Sequence, residues 1–547
     1  MFQLKNILSL CTMLRFKFPF LVSLMLTKGA LLQPFPYRLS MDSIVIAEIG
    51  GIQSFSFGQA NGKWLIIGGR LDGLHRRQPW ASFDMAGNNN QLVVIDPVEQ
   101  KKWSCGLTSL DSNLREQLSS TNMQFIQRDG ILYLMGGYGR SNTMDDHITF
   151  PNLTTVDVAG VIDAVIEKKD LKPYFCQVSD ERFALTGGQL LFLDNDFYLI
   201  GGHRFEGRYN PMNQPSFEQT YSNSVHRFSI KLNGLVPEIT PMPSFTEETL
   251  MHRRDFNVAP VIQATGEQGI IAFSGVFQKS LDIPYLNAIS IGNNGMEPIP
   301  EFAQYYNHYH CANVSLHDPQ NNTSHFLFFG GIAQYYDSAG ILVQDNEVPF
   351  TQTIGHVVQH PHGKLEEFAH PLKMPGYLGA ASEFIPSPDL FQHSNEVVDM
   401  SKFITRDSLL IGYIFGGIRS TAPNIFWTHE GTESTASALI YPVYLIRSET
   451  GSGARQNPHS TNGLQLQVFP DAVEDKIYYN FNLKEGSEVR ASLVAPNGEI
   501  VKSKRWKKIP SGTHTKILKY RKLKRETKFI LILTIDGTEH QHWMNVH

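Results

Sequence analysis

One phrase recurs six times along this chain: four or five apolar residues that end in two small ones. It reads Gly62-Lys-Trp-Leu-Ile-Ile-Gly-Gly69, Gly130-Ile-Leu-Tyr-Leu-Met-Gly-Gly137, Asn195-Asp-Phe-Tyr-Leu-Ile-Gly-Gly202, Gly269-Ile-Ile-Ala-Phe-Ser-Gly275, His325-Phe-Leu-Phe-Phe-Gly-Gly331 and Leu410-Ile-Gly-Tyr-Ile-Phe-Gly-Gly417. The copies are spaced by about 55 to about 85 residues, a period that belongs to repeat architectures. An apolar run closed by glycines describes a buried strand that ends where the backbone turns at positive φ beside a neighbouring sheet. Further strands follow each pair, such as Gln91-Leu-Val-Val-Ile-Asp96 ahead of Trp103. A four-stranded sheet of this kind cannot bury both faces alone, and packing the units radially buries them all.

Strand, Gly-Gly, loop, strand and a following Trp resemble the Kelch repeat. The resemblance covers about 400 residues and implies an all-β fold, a six-bladed Kelch-type β-propeller over residues 43–447. Closing the ring requires its two ends to share a blade, and Ile44–Ile49 is the strand expected to complete the sixth. Fold alone is nearly silent on activity.

The ends of the chain differ from its body. Arg15 and Lys17 precede the apolar run Phe18–Leu26 and the small residues Gly29 and Ala30, the order of a secretory signal, so residues 1–32 are read as an export segment, with Met13 as an alternative start. No later segment is long and apolar enough for a transmembrane helix. Residues 448–463 are rich in Ser, Gly, Asn and Thr and read as a linker. Residues 464–547 show short strand patterns and an Asn497-Gly498 turn, which predicts a small β-sandwich domain following the propeller. They carry 15 basic and 9 acidic residues in a chain whose net charge is -5. The segments Val468–Ile477 and Val489–Val501 resemble the C-terminal sorting domain of the type IX secretion system. That resemblance implies the secretion machinery as a partner and a secreted or outer-surface location. Lys502, Lys504, Arg505, Lys507, Lys508, Lys519, Arg521, Lys522, Lys524 and Arg525 form a basic patch with few aromatics between them, which reads as a solvated face and not as a nucleic-acid site. Cys105, Cys176 and Cys311, outside the export segment, show no metal-ligand spacing, and no cofactor is expected.

Strand order places residues after each Gly-Gly on the same face as the starts of the first strands, and several of these loops are long, where function concentrates. Arg70, Tyr138, Arg140, His203, Arg204, Tyr335 and Arg419 follow glycine pairs, while Arg253, Arg254 and Asp255, and His308, Tyr309 and His310, open the fourth and fifth first strands. Arginine offers a planar fork of donors for carboxylate, sulfate or phosphate, and aromatic rings stack on sugar faces. The expected ligand is an anionic glycan or a surface protein. The alternative for each arginine is a tie between neighbouring blades. Two catalytic readings use the same face, the first of them a carbohydrate-active isomerase or lyase. Six-bladed Kelch sialic acid mutarotases or epimerases act through acidic and basic groups at the channel mouth, for which Arg253, Asp255 and His310 supply the types. Kelch copper oxidases carry Tyr-His where Tyr309-His310 stand here, and the His308/His310 pair could share a strand face, but a third ligand is missing and no metal site is expected.

Overall fold

The computed structural model describes residues 37–547 apart from 213–214, 280–281, 391, 404–406, 448–454, 457–466, 472–475, 484, 496–498, 521–526 and 547. The export segment, most of the linker, and Arg521, Lys522, Lys524 and Arg525 of the basic patch therefore lie outside the described residues. The chain is all-β, built of many small antiparallel sheets.

Each repeated apolar run is the second strand of a four-strand path. The first sheet runs Ser56–Ala60, Lys63–Ile67, Gln91–Asp96 and Lys101–Gly106. The same order is repeated in sheets whose first strands are Gln124–Arg128, Gln189–Leu193, Asn257–Ile262, Asn313–Asp318 and Tyr377–Pro386. Apolar cores lie between consecutive sheets: Leu65 and Val94 pack with Leu132 and Val156, Met135 and Leu153 with Leu199 and Phe228, Tyr198 and Ile200 with Ala272 and Ile289. Ile271 and Phe273 then pack with Phe326 and Val357, Leu327 and Ile354 with Ile414 and Val443, and Phe415 and Ile440 with Trp64 and Ile66. The last core returns to the first sheet, so the packing is cyclic.

Two backbone hydrogen-bond cycles seal it. Just ahead of five of the first strands and within the sixth, the N–H of Asn122 donates to Ser54 O, Gly187 to Asn122 O, Asp255 to Gly187 O, His310 to Asp255 O, Ala381 to His310 O, and Ser54 to Ala381 O, at 2.7–3.4 Å. Running the other way, the second small residue of each repeat donates to the next sheet: Gly69 to Ser120 O, Gly137 to Leu185 O, Gly202 to Arg253 O, Gly275 to His308 O, Gly331 to Leu378 O and Gly417 to Ile52 O. This is why the phrase must end in small residues. Gly136 has φ 66° and a Cβ there would stand 1.9 Å from Leu185 O. Gly136→Ala is expected to cost at least about 2–3 kcal/mol, from left-handed strain and the opening of the seam between the second and third sheets. Urea unfolding read by intrinsic fluorescence would check this; an unchanged midpoint would contradict it.

The closing strand is not the expected one. Tyr37–Met41 pairs antiparallel with Ile440–Arg447, from Tyr37 opposite Arg447 to Met41 opposite Val443. Ile44 makes only an isolated bridge to Ile440, and Val45 is exposed. Ile46 and Ile49 are buried because they pack, from a turn with Glu48 at φ 60°, into the core around Trp64. At the far end of the first strands the connection inside the sixth sheet crosses from sheet to sheet. Ser394 O accepts from Arg128 Nη1 at 2.9 Å, Ser394 Oγ from Gln268 Nε2 at 2.6 Å, and Asn395 Nδ2 donates to Val261 O at 3.1 Å.

The C-terminal residues form two sheets around a shared core that includes Val468, Tyr479, Phe481, Leu493 and Leu531. One holds Gln467–Asp471, Lys476–Leu483 and Gly512–Lys519; the other holds Ser487–Val494, Ile500–Ile509, Thr527–Ile535 and Thr538–Val546. Thr538–Val546 also pairs, in parallel, with Ile341–Gln344 of the loop after the fifth Gly-Gly. His542 Nε2 meets Gln344 Oε1 at 2.8 Å. Inside the expected linker, Arg455–Gln456 pairs with Phe368 and Ala369 at the edge of the fifth sheet. Lys502, Lys504, Arg505, Lys507 and Lys508 stand exposed on Ile500–Ile509, an edge strand whose charges discourage edge pairing. Among the described residues, no helix is long and apolar enough to cross a membrane.

Candidate functional site

The residues of the first hydrogen-bond cycle surround the throat of the ring. Their side chains and those just beyond line a narrow cavity of about 20 Å³, to which all six sheets contribute, from Ser54 and Phe55 through Asn122, Gly187 and Asp255 to His310 and Glu383. Only Asp255, His310 and Glu383 among the lining residues are ionisable acids or bases. His310 Nε2 lies 3.4 Å from Glu383 Oε1. Burial pushes the Glu383 carboxyl well above the usual range and the His310 imidazole down to about 4. Both shifts favour the uncharged form of each group. Burial also raises Asp255, against the opposing pull of Arg254.

Arg254 adjoins the cavity through Asp255, which lines it, and its own side chain is 11% exposed. Its backbone bridges Val276, after the fourth Gly position, and its guanidinium lies 5.2, 5.7 and 5.8 Å from the ring centres of Phe277, Tyr209 and Phe205. Its counter-charge is Asp255, at 3.6 Å, and its buried Nε has no hydrogen-bond partner among the described residues. Burial opposes the charge, but Asp255 and the phenols of Tyr209, Tyr221 and Tyr309 outweigh it and hold the guanidinium above its ordinary pKa. Arg254 in turn adds to the burial that drives His75 down to about 4 and His203 well below the usual imidazole value.

The other residues singled out from the sequence fall elsewhere. Arg70 is buried and occupied within its own loop: Nε and Nη2 donate to Asp72 at 2.8 and 2.5 Å, and Nη1 donates to Asn88 Oδ1 at 2.8 Å. Arg140 pairs with Asp145, and Arg204 with Glu181 and Glu206. Arg419 is exposed on the outer hairpin with Ser434–Ala436. The expected ring of arginines therefore reduces at the mouth to Arg254. Arg253, adjacent in sequence, meets a different set of partners. It is wholly buried between sheets, donating to Leu250 O, Ser274 O and Asn287 Oδ1 at 2.6, 2.5 and 3.0 Å, over the face of Tyr285.

His308 and His310 do not share a face either. The strand begins only at Asn313, so strand alternation does not apply to them. His308 is fully buried, with Nε2 donating to Gln304 O at 3.0 Å and Nδ1 accepting from Gln334 N–H at 3.1 Å. Tyr335 is buried against Tyr305, His308 and His542. Tyr138 ties two loops, its OH donating to Gly207 O at 2.8 Å and accepting from Tyr209 N–H at 2.9 Å. His203 is buried with Nδ1 2.7 Å from Gln219 Nε2. Tyr309 remains beside Arg254. Among the described residues no group of three or more His, Cys, Asp or Glu is arranged to hold a metal ion.

Sequence reasoning missed Glu383 and the aromatic walls Phe205, Tyr209, Tyr221 and Phe277. Glu383 carried a signal, as a lone carboxylate inside the apolar strand Tyr377–Pro386. Phe205, Tyr209 and Tyr221 carried one in the ring density of the loop 203–222.

No family model matches the chain, and no curated protein matches it. Among solved structures, the protein YjhT aligns at 10% identity over 71% of this chain and 97% of its own, with a TM-score of 0.39. A glycoside hydrolase family 43 arabinoxylan arabinofuranohydrolase from Bacillus subtilis in complex with cellotetraose aligns at 10% identity over 91% of this chain and 96% of its own, with a TM-score of 0.29. A sucrose-6-phosphate hydrolase from Lactobacillus gasseri aligns at 8% identity over 91% of this chain and 85% of its own, with a TM-score of 0.26. At these values none of them bears on what this chain does.

Proposed function

We propose that this chain is a six-bladed Kelch-type β-propeller, exported to the outside of the cell with its C-terminal residues serving the secretion machinery, and that its mouth binds an anionic glycan. The cyclic cores and the two hydrogen-bond cycles support the propeller reading, and the resemblances at the two ends of the chain support the location. One observation carries the ligand class: a guanidinium set among aromatic faces whose counter-charge, Asp255, is itself driven toward its neutral form. The buried Nε of that guanidinium has no hydrogen-bond partner among the described residues, and a ligand carboxylate supplies one in a charge-assisted bond. Tyr209 and Phe277, which are only half-buried, offer ring faces on which the C–H side of a pyranose stacks.

Titration calorimetry of the whole protein against carboxylated monosaccharides tests this. Arg254→Gln is expected to weaken binding roughly ten- to a hundredfold, the worth of a charge-assisted contact, with little change in melting temperature. Arg253→Gln is expected to do the reverse. It strands three buried partners, costs about 2–4 kcal/mol of stability and leaves affinity in place. Unchanged affinity in Arg254→Gln would defeat the proposal.

A second reading, an isomerase acting on the same sugar, has its own observation in Glu383, His310 and Asp255. A carboxyl driven toward its protonated form and an imidazole driven toward its neutral form are the types of acid and base that exchange protons with the ring oxygen and anomeric hydroxyl of a sugar, opening and reclosing it without net change. Under that reading Glu383→Gln binds normally but no longer accelerates anomer exchange measured by NMR; a wild-type protein that never accelerates it is a binder alone.

A further inference from the structure

Tryptophan is the largest apolar side chain, and leaving it in water forgoes the benefit of burying it. Two are left so. Trp80 is 75% exposed and Trp427 55%, whereas Trp64 is 2%. They lie in the loops after the first and sixth Gly-Gly, far apart in sequence, and the fold laces those loops together. Leu74 N–H donates to Ser434 Oγ at 2.9 Å, and His429 bridges Leu74 O at 2.6 Å and Glu433 Oε2 at 3.0 Å. Asp72 bridges Thr435. Glu433 also accepts the N–H groups of Glu430, Gly431 and Thr432 at 3.0–3.1 Å, which hold its carboxyl down to about 2. The exposed indoles therefore ride on a braced support, and rigid aromatic anchors bind at low entropic cost.

The rim is also continuous with the mouth. Trp427 meets Phe426 edge-on at 5.2 Å, Phe426 meets His75 at 6.1 Å, His75 meets Tyr209 at 5.4 Å, and Tyr209 lies 5.7 Å from the Arg254 guanidinium. Arg76, Asn424 and Thr428 stand exposed among these rings. Rings separated by hydrogen-bonding groups along a line suit a sugar chain, with an apolar face and a fringe of hydroxyls on each unit. A protein interface would want a contiguous apolar centre.

Resting on the anionic-glycan reading, we infer that the ligand is an oligosaccharide: its acidic unit sits at Arg254, and its further units run outward over the joined loops of the first and sixth sheets to stack on Trp427 and Trp80. The test is calorimetry of the whole protein with sialic, galacturonic and glucuronic acids and with linear oligomers of each, in wild type, Trp80→Ala, Trp427→Ala, the double variant and Arg254→Gln. Wild type is expected to bind an oligomer at least roughly tenfold, about 1.4 kcal/mol, more tightly than its monomer. The tryptophan variants are expected to lose that gain, keep monomer affinity and keep the wild-type melting temperature, while Arg254→Gln loses both ligands. Tryptophan emission is expected to shift to the blue with oligomer only. An oligomer bound no better than the monomer, or bound equally by wild type and the double variant, overturns the rim and leaves the Arg254 site standing. Full monomer affinity in Arg254→Gln overturns the Arg254 site instead, and wild type blind to acidic sugars of either length overturns both. A surface protein captured through the tryptophans without any sugar response likewise overturns the inference.

Discussion

A chain that begins after Asp42 should unfold at a much lower urea concentration than the full chain, or fail to fold. Tyr37–Met41 is the strand that lets the last sheet reach four strands, and its register with Ile440–Arg447 is unbroken over five pairs. Tyr37 and Leu39 are buried in the core with Val443, Leu445 and Ile411. Two large apolar side chains at about 1.5–3 kcal/mol each, with the strand's hydrogen bonds at about 0.5–1.5 kcal/mol each, come to the order of 5 kcal/mol or more. That is comparable to the whole stability of an ordinary domain. The loss also leaves Ile440–Arg447 as an unpaired edge inviting intermolecular pairing. Adding the peptide Tyr37–Met41 in trans should recover part of the midpoint by strand addition. Equal midpoints for the two chains would show that the ring holds without this strand.

The glycine-terminated runs were legible because two physical demands, positive φ and backbone at contact distance, coincide at one place in every sheet, and few residue types meet both. The closing strand was harder to read for the opposite reason. Ile44, Ile46 and Ile49 look like a strand, but two of them are apolar because a turn inserts them into a core, whereas Tyr-Arg-Leu-Ser-Met alternates correctly beside a segment read as exported. Ile500–Ile509 was passed over because its basic residues hide the alternation of an edge strand. At the site, chain position found Arg254, Asp255 and His310. It could not separate Arg253 from Arg254, since which way a side chain points depends on local backbone that composition does not reveal. The partners of the other arginines were in plain view: Arg70 with Asp72 and Arg204 with Glu206 are two apart on extended backbone, hence on one face. Such spacing is a reason to read an arginine as already paired.

Melting temperature should rise from pH 4 to about pH 6.5 and fall again toward pH 8. The acid limb comes from buried imidazoles. His75, His308, His310, His325 and His370 are each pushed by burial from 6.5 to about 4. For His308 the geometry gives the same answer, because Nδ1 already accepts Gln334 N–H and a proton there would set two donors face to face. Between pH 6.5 and 4 the unfolded chain binds protons that the folded chain refuses, so stability rises with pH across that interval. A shift of this size is worth about 3 kcal/mol for one fully buried histidine. The alkaline limb has the opposite sign. Burial raises Glu367 from 4.5 to about 8 although Tyr305 and Tyr306 donate N–H to its oxygens at 2.6 and 3.1 Å, and Glu383 and Asp255 move the same way. The folded state holds those protons where the unfolded state has lost them, so the stability they lend below pH 4.5 fades as pH climbs through 8. Above pH 6.5 the imidazoles no longer compensate, and the decline shows. Glu367→Gln keeps an oxygen for one of the two N–H groups and removes the proton, so it should flatten the limb from pH 6.5 to 8 and steepen the acid limb above pH 4.5. Thermal melts of wild type and Glu367→Gln across this range decide it: a wild-type melting temperature that keeps rising to pH 8 would mean that Glu367 is ionised in the fold, held by its two backbone donors.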